Sequence, residues 1–139
     1  MDKQFFNKKA TFDYEIIEAL EAGLVLTGSE IKAIRANKVI LNGSYVKILG
    51  GEVYWVGGNI NVLDGDPDRS RKLLIHRDQI ERLVGKVQEK GLALIPLKLY
   101  LKKGKAKLEV GLGRGLKKYD KREVAKKKDQ QREMERTTR

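Results

Sequence analysis

The chain has no cysteine, which excludes disulfides, thiolate metal sites and cysteine nucleophiles together. Its single histidine, His76, cannot by itself build a histidine-rich metal cage or a histidine-paired nucleophile. Aromatic residues make up only 6% and proline occurs twice, so a core must come from aliphatic side chains. No apolar run approaches the roughly 18 residues that a membrane helix needs. The opening stretch MDKQFFNKKATFDY lacks the apolar segment and small-residue cleavage site of a secretory signal. The expectation is a cytoplasmic protein with no membrane partner. Acid–base chemistry is also thin: Glu15, Glu18 and Glu21 are close in sequence, but carboxylates without a second acid–base partner are ordinary surface charge. No enzyme activity, metal, cofactor or small-molecule substrate is expected.

What the chain does have is positive charge. Thirty Lys and Arg face nineteen Asp and Glu across 139 residues, a net charge of +11. Lys and Arg in clusters on one domain are the electrostatic footprint of a polyanion binder. Composition divides the chain near residue 116. The segment 117–139 holds ten basic and five acidic residues, so +5 of the +11 lies there and +6 on 1–116. It has almost no apolar content beyond Val124, Ala125 and Met134, too little to offset the entropy of ordering it alone. Its residue types favour helix, and Glu123–Lys127 and Glu135–Arg139 are i,i+4 pairs in the favourable order. The expected behaviour is a tail that is disordered when free and becomes helical against a charged partner.

The body, 1–116, reads as β-α-β-β-β-α-β-β. Asp13 to Leu26 is assigned to a strand. Thr27-Gly28-Ser29-Glu30 has the capping-box spacing and opens a helix ending near Asn37. SYVKILGGEVYWV alternates on either side of Gly50-Gly51, and LKLYLKKGKAKLEVGL alternates on either side of Lys103-Gly104, two hairpin patterns. Between them lies a buried-looking Leu73-Leu74-Ile75. The segment HRDQIERLVGKVQEKG carries Ile80, Leu83, Val84 and Val87 at helical spacing, with Gly91 as its stop. A mainly β, OB-like closed antiparallel barrel with short flanking helices is the expected fold, since closure removes exposed edges. A split α+β sandwich is the alternative.

Four basic clusters could meet phosphates. They are Lys98, Lys102, Lys105 and Lys107 on the polar face of the last hairpin; Arg69, Arg71 and Lys72; Arg35 with Lys38; and Asn7-Lys8-Lys9. Lysines on a strand face also guard sheet edges, and cations at a helix end complement its dipole. Tyr45, Tyr54, Trp55 and Tyr100 could stack on bases or be buried. Gly111-Leu112-Gly113-Arg114-Gly115 lacks the context of a nucleotide-binding loop and is read as a hinge between body and tail.

The motifs Asn7-Lys8-Lys9-Ala10, Glu21-Ala22-Gly23-Leu24-Val25-Leu26-Thr27-Gly28-Ser29-Glu30-Ile31-Lys32 and Ser44-Tyr45-Val46 resemble the small protein B family. So do Asp66-Pro67 with Arg69, Arg71-Lys72-Leu73-Leu74, Pro96-Leu97-Lys98-Leu99-Tyr100 and Lys117-Lys118-Tyr119-Asp120-Lys121-Arg122-Glu123. The stretch Gly57 to Asp66 is shorter than the family's usual loop. The resemblance implies an OB-fold that binds the tRNA-like domain of transfer-messenger RNA and escorts it to stalled ribosomes for trans-translation. It implies that Glu21, Leu74 and Lys107 matter for RNA binding, to which Asn7, Lys8, Arg71 and Lys72 are added as candidates. It further implies a tail that contacts the ribosome at the decoding centre and empty mRNA channel through Lys117, Lys118, Tyr119, Asp120, Lys121, Arg122, Lys126, Lys127, Lys128, Arg132, Met134 and Arg136. The basic patches alone would also suit a general RNA-binding barrel of the translation apparatus.

Overall fold

In the computed structural model, residues 3–88 and 92–116 are described. The tail expected at 117–139, with its ribosome-facing residues, and the helix stop at Gly91 lie outside the described residues. The elements run β1 (Gln4–Phe6), α1 (Ala10–Asp13), β2 (Tyr14–Leu24), α2 (Gly28–Arg35), β3 (Val39–Ile40), β4 (Tyr45–Leu49), β5 (Glu52–Val56), β6 (Asn59–Ile60), β7 (Arg71–Leu74), α3 (Arg77–Val87), β8 (Leu92–Lys102) and β9 (Lys105–Gly115). Every expected element is present, and β1, α1, β3 and β6 are additional.

Local chemistry explains the boundaries. The Thr27 side chain accepts from the Glu30 backbone N–H at 3.2 Å while the Glu30 carboxylate accepts from Thr27 N–H at 2.9 Å, the reciprocal capping box. At the other end of α2, Asn37 adopts φ 63°. Its N–H donates to Ile34 at 3.0 Å and that of Lys38 to Ala33 at 2.9 Å, a Schellman closure with asparagine in the left-handed position. Gly50 and Gly51 (φ 61° and 78°) and Lys103 and Gly104 (φ 52° and 78°) turn the two hairpins with positive φ at both central residues, as two-residue hairpin loops favour.

The strands form one antiparallel sheet in the order β1-β8-β9-β2-β7-β5-β4, with β3 and β6 paired separately. The ladders leave this sheet open, with β1 and β4 at its ends, so pairing does not draw the full closure expected from the sequence. Part of the reason is local. The free edge of β8 is occupied by β1, which pairs Gln4, Phe5 and Phe6 with Tyr100, Leu99 and Lys98. The sheet nevertheless curls enough to bring β4 against β8. Inside the curl sit Val53, Trp55, Leu73, Leu99, Leu108 and Val110, joined by Ile34 of α2 and Leu83 of α3. Each such side chain contributes about 1.5–3 kcal/mol on leaving water.

The glycine-rich run does not behave as a hinge. Gly111 to Gly115 complete β9, because a Cβ at Gly111 would stand 2.8 Å from Leu97 Cδ1 and one at Gly113 2.8 Å from Ile95 Cδ1. Glycine here lets two side chains of β8 cross the neighbouring strand. Leu97 reaches that position because β8 bulges between Pro96 and Lys98, and proline, lacking a ladder donor, is tolerated at a bulge. Trp55 is fully buried, so it is a core ring and not a surface for bases; its Nε1 donates to Ser44 Oγ at 2.9 Å. The ring lies where a Cβ on Gly58 would come within 1.9 Å of it. Gly58→Ala is therefore expected to cost about 1–3 kcal/mol by overpacking. This is read as a lowered urea midpoint, and an unchanged midpoint would show that the ring has room to move.

Candidate nucleic-acid interface

The convex face of the sheet collects the polar side chains that alternate with the core. Across β8 and β9, Lys98 faces Glu109, Tyr100 faces Lys107 and Lys102 faces Lys105. Across β9 and β2, Lys107 faces Gly23 and Glu109 faces Glu21. Across β2 and β7, Gly23 faces Leu74. Period-two alternation thus places Lys98, Tyr100, Lys102, Lys105, Lys107, Glu109, Glu21 and Leu74 on one surface.

A cleft of about 380 Å3 opens on this face, lined by Glu21, Gly23, Leu74, Ile75, His76, Gln79 and Lys107. Three of the sequence candidates, Glu21, Leu74 and Lys107, therefore meet at one place although they lie on β2, β7 and β9. Leu74 is 57% exposed, which corrects its reading as part of a buried run: Leu73 turns inward and Leu74 outward. His76, the N-cap residue of α3, and Gln79 complete the wall. Sequence reasoning did not single out Gln79, because only the β7–α3 connection brings it beside Leu74.

Glu21 is held in a network of its own. The Tyr100 hydroxyl donates to its Oε2, and Lys102 Nζ stands 3.9 Å from the same oxygen. The Tyr100 hydrogen bond, helped by Lys102, Lys107 and Lys98 against a smaller desolvation effect, holds the Glu21 carboxyl below its usual range. Partial burial and the adjacent carboxylate push the Tyr100 phenol upward, so it stays a donor. Lys98 sits 5.3 Å from the Tyr100 ring centroid and 3.8 Å from Glu109. Two of the lysines are thus partly balanced by carboxylates, while Lys105 and Lys107 continue the basic row.

The remaining candidates separate. Lys72 is exposed on β7 two residues from Leu74, 3.5 Å from Glu52. Lys8 is exposed in the turn before α1, away from the cleft lining. Asn7 is 5% exposed; its Nδ2 donates to Pro96 O at 2.9 Å and its backbone N–H to Leu97 O at 2.9 Å, so it fastens β1 to the β8 bulge. Arg71 requires a correction. It is fully buried, with Nε donating to Glu30 Oε2 at 2.7 Å, one terminal nitrogen to Gly58 O at 2.9 Å and the other to Pro67 O at 2.8 Å. Its guanidinium stacks 5.2 Å from the Trp55 centroid. A side chain so enclosed cannot reach a phosphate. Arg69 joins it on Glu30 through Nε at 3.0 Å, so two of the three basic residues in that cluster serve the fold. Glu15 and Glu18 do not form a carboxylate group with Glu21: a bulge separates Ile16 from Glu18, and Glu18 pairs with Arg82 at 2.7 Å.

Among the described residues, no group of His, Asp or Glu is placed to hold a metal ion, and no helix is long and apolar enough to cross a membrane. What the arrangement presents is a shallow apolar-and-polar cleft beside a row of ammonium groups.

The family model described as SmpB protein matches residues 4–139. The SsrA-binding protein of Bacillus pumilus is 55% identical over 139 residues, covering 96% of this chain and 89% of that one. That of Magnetococcus marinus is 50% identical over 136 residues, covering 94% and 91%. Among solved structures, a chain described by the words "tmRNA-SmpB: a journey to the center of the bacterial ribosome" superposes with a TM-score of 0.69 at 41% identity, covering 88% of this chain and 94% of that one.

Proposed function

This chain belongs to the SmpB protein family, and on that premise we propose that it binds the tRNA-like domain of transfer-messenger RNA and delivers it to stalled ribosomes in trans-translation. The observation that carries the reading is the convergence of Glu21, Leu74 and Lys107, from three different strands, on one cleft of a basic sheet face. Phosphates running along the face meet Lys98, Lys102, Lys105 and Lys107, which position the RNA without reading sequence. The cleft supplies the selective contacts, as RNA recognition usually does through unpaired or splayed nucleotides. Lys72, exposed on the same face, extends the phosphate track toward β5, and Lys8 stands outside it.

In this reading residues 1–116 are the RNA-binding body, curled as an OB-like barrel with β4 approaching β8. The body completes a tRNA mimic, and the basic tail 117–139 is disordered when free. On the ribosome the tail becomes helical and occupies the decoding centre and vacant mRNA channel. Its ten cations suit a tunnel walled by RNA phosphate. The protein works in the cytoplasm by binding and placement, with no chemical turnover of its own.

Lys107→Ala tests the interface directly. Removing one phosphate contact is expected to weaken binding to a tRNA-like-domain transcript and to flatten the slope of log affinity against log salt by about one unit. An unchanged slope would remove Lys107 from the phosphate track.

A further inference from the structure

A carboxylate has no electrostatic business on a phosphate-binding face. Glu21 stays ionised there, held by Tyr100 and ringed by Lys98, Lys102 and Lys107, with Glu109 opposite it on β9. It therefore repels phosphate oxygens at close range and gains from RNA only by accepting hydrogen bonds from donors, as Asp and Glu do from base amino groups. A carboxylate offers two parallel acceptors. Among the four bases only guanine presents two adjacent donors on its Watson–Crick edge, N1–H and the N2 amino group. Adenine and cytosine pair one amino group with an acceptor nitrogen, and uracil flanks its single N–H with carbonyls that would oppose a carboxylate. In a duplex the guanine donors are occupied by cytosine, so the guanine must be unpaired.

The space beside Glu21 is suited to one such base. At about 380 Å3 the cleft is at the small end of ligand sites. Leu74 and Ile75 give it an apolar wall, and Lys107 stands at its edge for the nucleotide's phosphate. The room exists because β2 carries glycine at position 23: a Cβ there would lie 3.5 Å from Leu74 Cβ and Cδ1, in ordinary contact, and larger branches would extend into the cleft. Glu21 Oε2 already accepts from the Tyr100 hydroxyl, which fixes the carboxylate in one orientation before RNA arrives.

We propose that this cleft takes a single unpaired guanine of the RNA, whose Watson–Crick edge donates to Glu21 while Leu74 covers its face, with Tyr100 as the positioning residue. The proposal rests on the transfer-messenger RNA reading and deepens it by naming the group that is read.

The experiment replaces guanosines at unpaired positions of a tRNA-like-domain transcript, one at a time, with inosine, which keeps N1–H and loses the N2 amino group. Affinity is measured for the full chain and its variants. One position is expected at which inosine weakens the wild-type complex about tenfold, the discrimination of a good bidentate contact. Glu21→Gln should weaken the unsubstituted complex similarly and show no further loss with inosine at that position. Gly23→Val should fill the cleft, leave thermal unfolding unchanged and abolish the inosine effect. Tyr100→Phe should reduce that effect without abolishing it, and should move the acid loss of binding to higher pH, because Glu21 loses the hydrogen bond that lowers its pKa. Independent, additive losses from inosine and Glu21→Gln would overturn the proposal, as would insensitivity at every position. Coupling of Glu21 to a cytidine lacking its amino group would overturn it in favour of cytosine. If the wild-type chain fails to bind the unsubstituted transcript, the functional reading itself falls.

Discussion

Arg71→Ala is expected to cost the fold about 3–5 kcal/mol, the usual penalty for breaking a buried ion pair from one side, and a large share of a typical domain's stability. The magnitude follows from what stays behind. Glu30 is 2% exposed and would keep only Arg69 and the Thr27 backbone N–H, while the carbonyls of Gly58 and Pro67 would lose the donors that tie the segment between β5 and β7 to the core. Arg71→Lys should fare little better, because an ammonium cannot reproduce a fork that serves three acceptors and stacks on Trp55. The same cluster sets an acid limit. Burial pushes the Glu30 carboxyl up, but hydrogen bonds from Arg69, the Thr27 backbone and Arg71 outweigh it and bring its pKa from 4.5 down to about 2. Its contribution is therefore complete above about 4.5 and is lost as pH falls through about 2, to a total of roughly 3 kcal/mol. Urea unfolding of wild type and Glu30→Gln across that window checks the sign: the wild type should lose stability on acidification and the variant should lose less. A stable Arg71→Ala protein with weakened RNA binding would return Arg71 to the interface.

The second large effect concerns the tail. Removing residues 121–139 is expected to leave affinity for the tRNA-like domain near normal and to abolish peptide tagging on stalled ribosomes. The physical ground is the division of charge, with the cleft and its lysine row lying wholly within 1–116 while a +5 segment follows. A general RNA-binding barrel would instead lose affinity for all RNAs alike on truncation. Binding curves and a reconstituted tagging reaction, run on the same two proteins, separate the outcomes.

Much of the fold could be read from the sequence because its signals are local. The capping box of Thr27 and Glu30, the two-residue turns at Gly50-Gly51 and Lys103-Gly104, and the helical spacing of Ile80 and Leu83 each fit within a few residues. What escaped was set by distant partners. Arg71 looks like any basic loop residue until Glu30, 41 positions away, is placed beside it. Gly111 and Gly113 read as a hinge until Leu97 and Ile95 are seen crossing them. Leu74 sits in an apolar run, and only the pairing of Gly23 with Leu74 fixes it on the outer face. The row of four lysines was legible as alternation in one hairpin, but the cleft beside it needed β2, β7, β9 and α3 together.

The most direct measurement is recovery of the protein from bacterial lysate followed by sequencing of the RNA that comes with it. Transfer-messenger RNA should dominate over its cellular abundance, and Glu21→Gln and Lys107→Ala should reduce that enrichment. Recovery of ribosomal and transfer RNA in proportion to their abundance, indifferent to both substitutions, would contradict selective capture by this face.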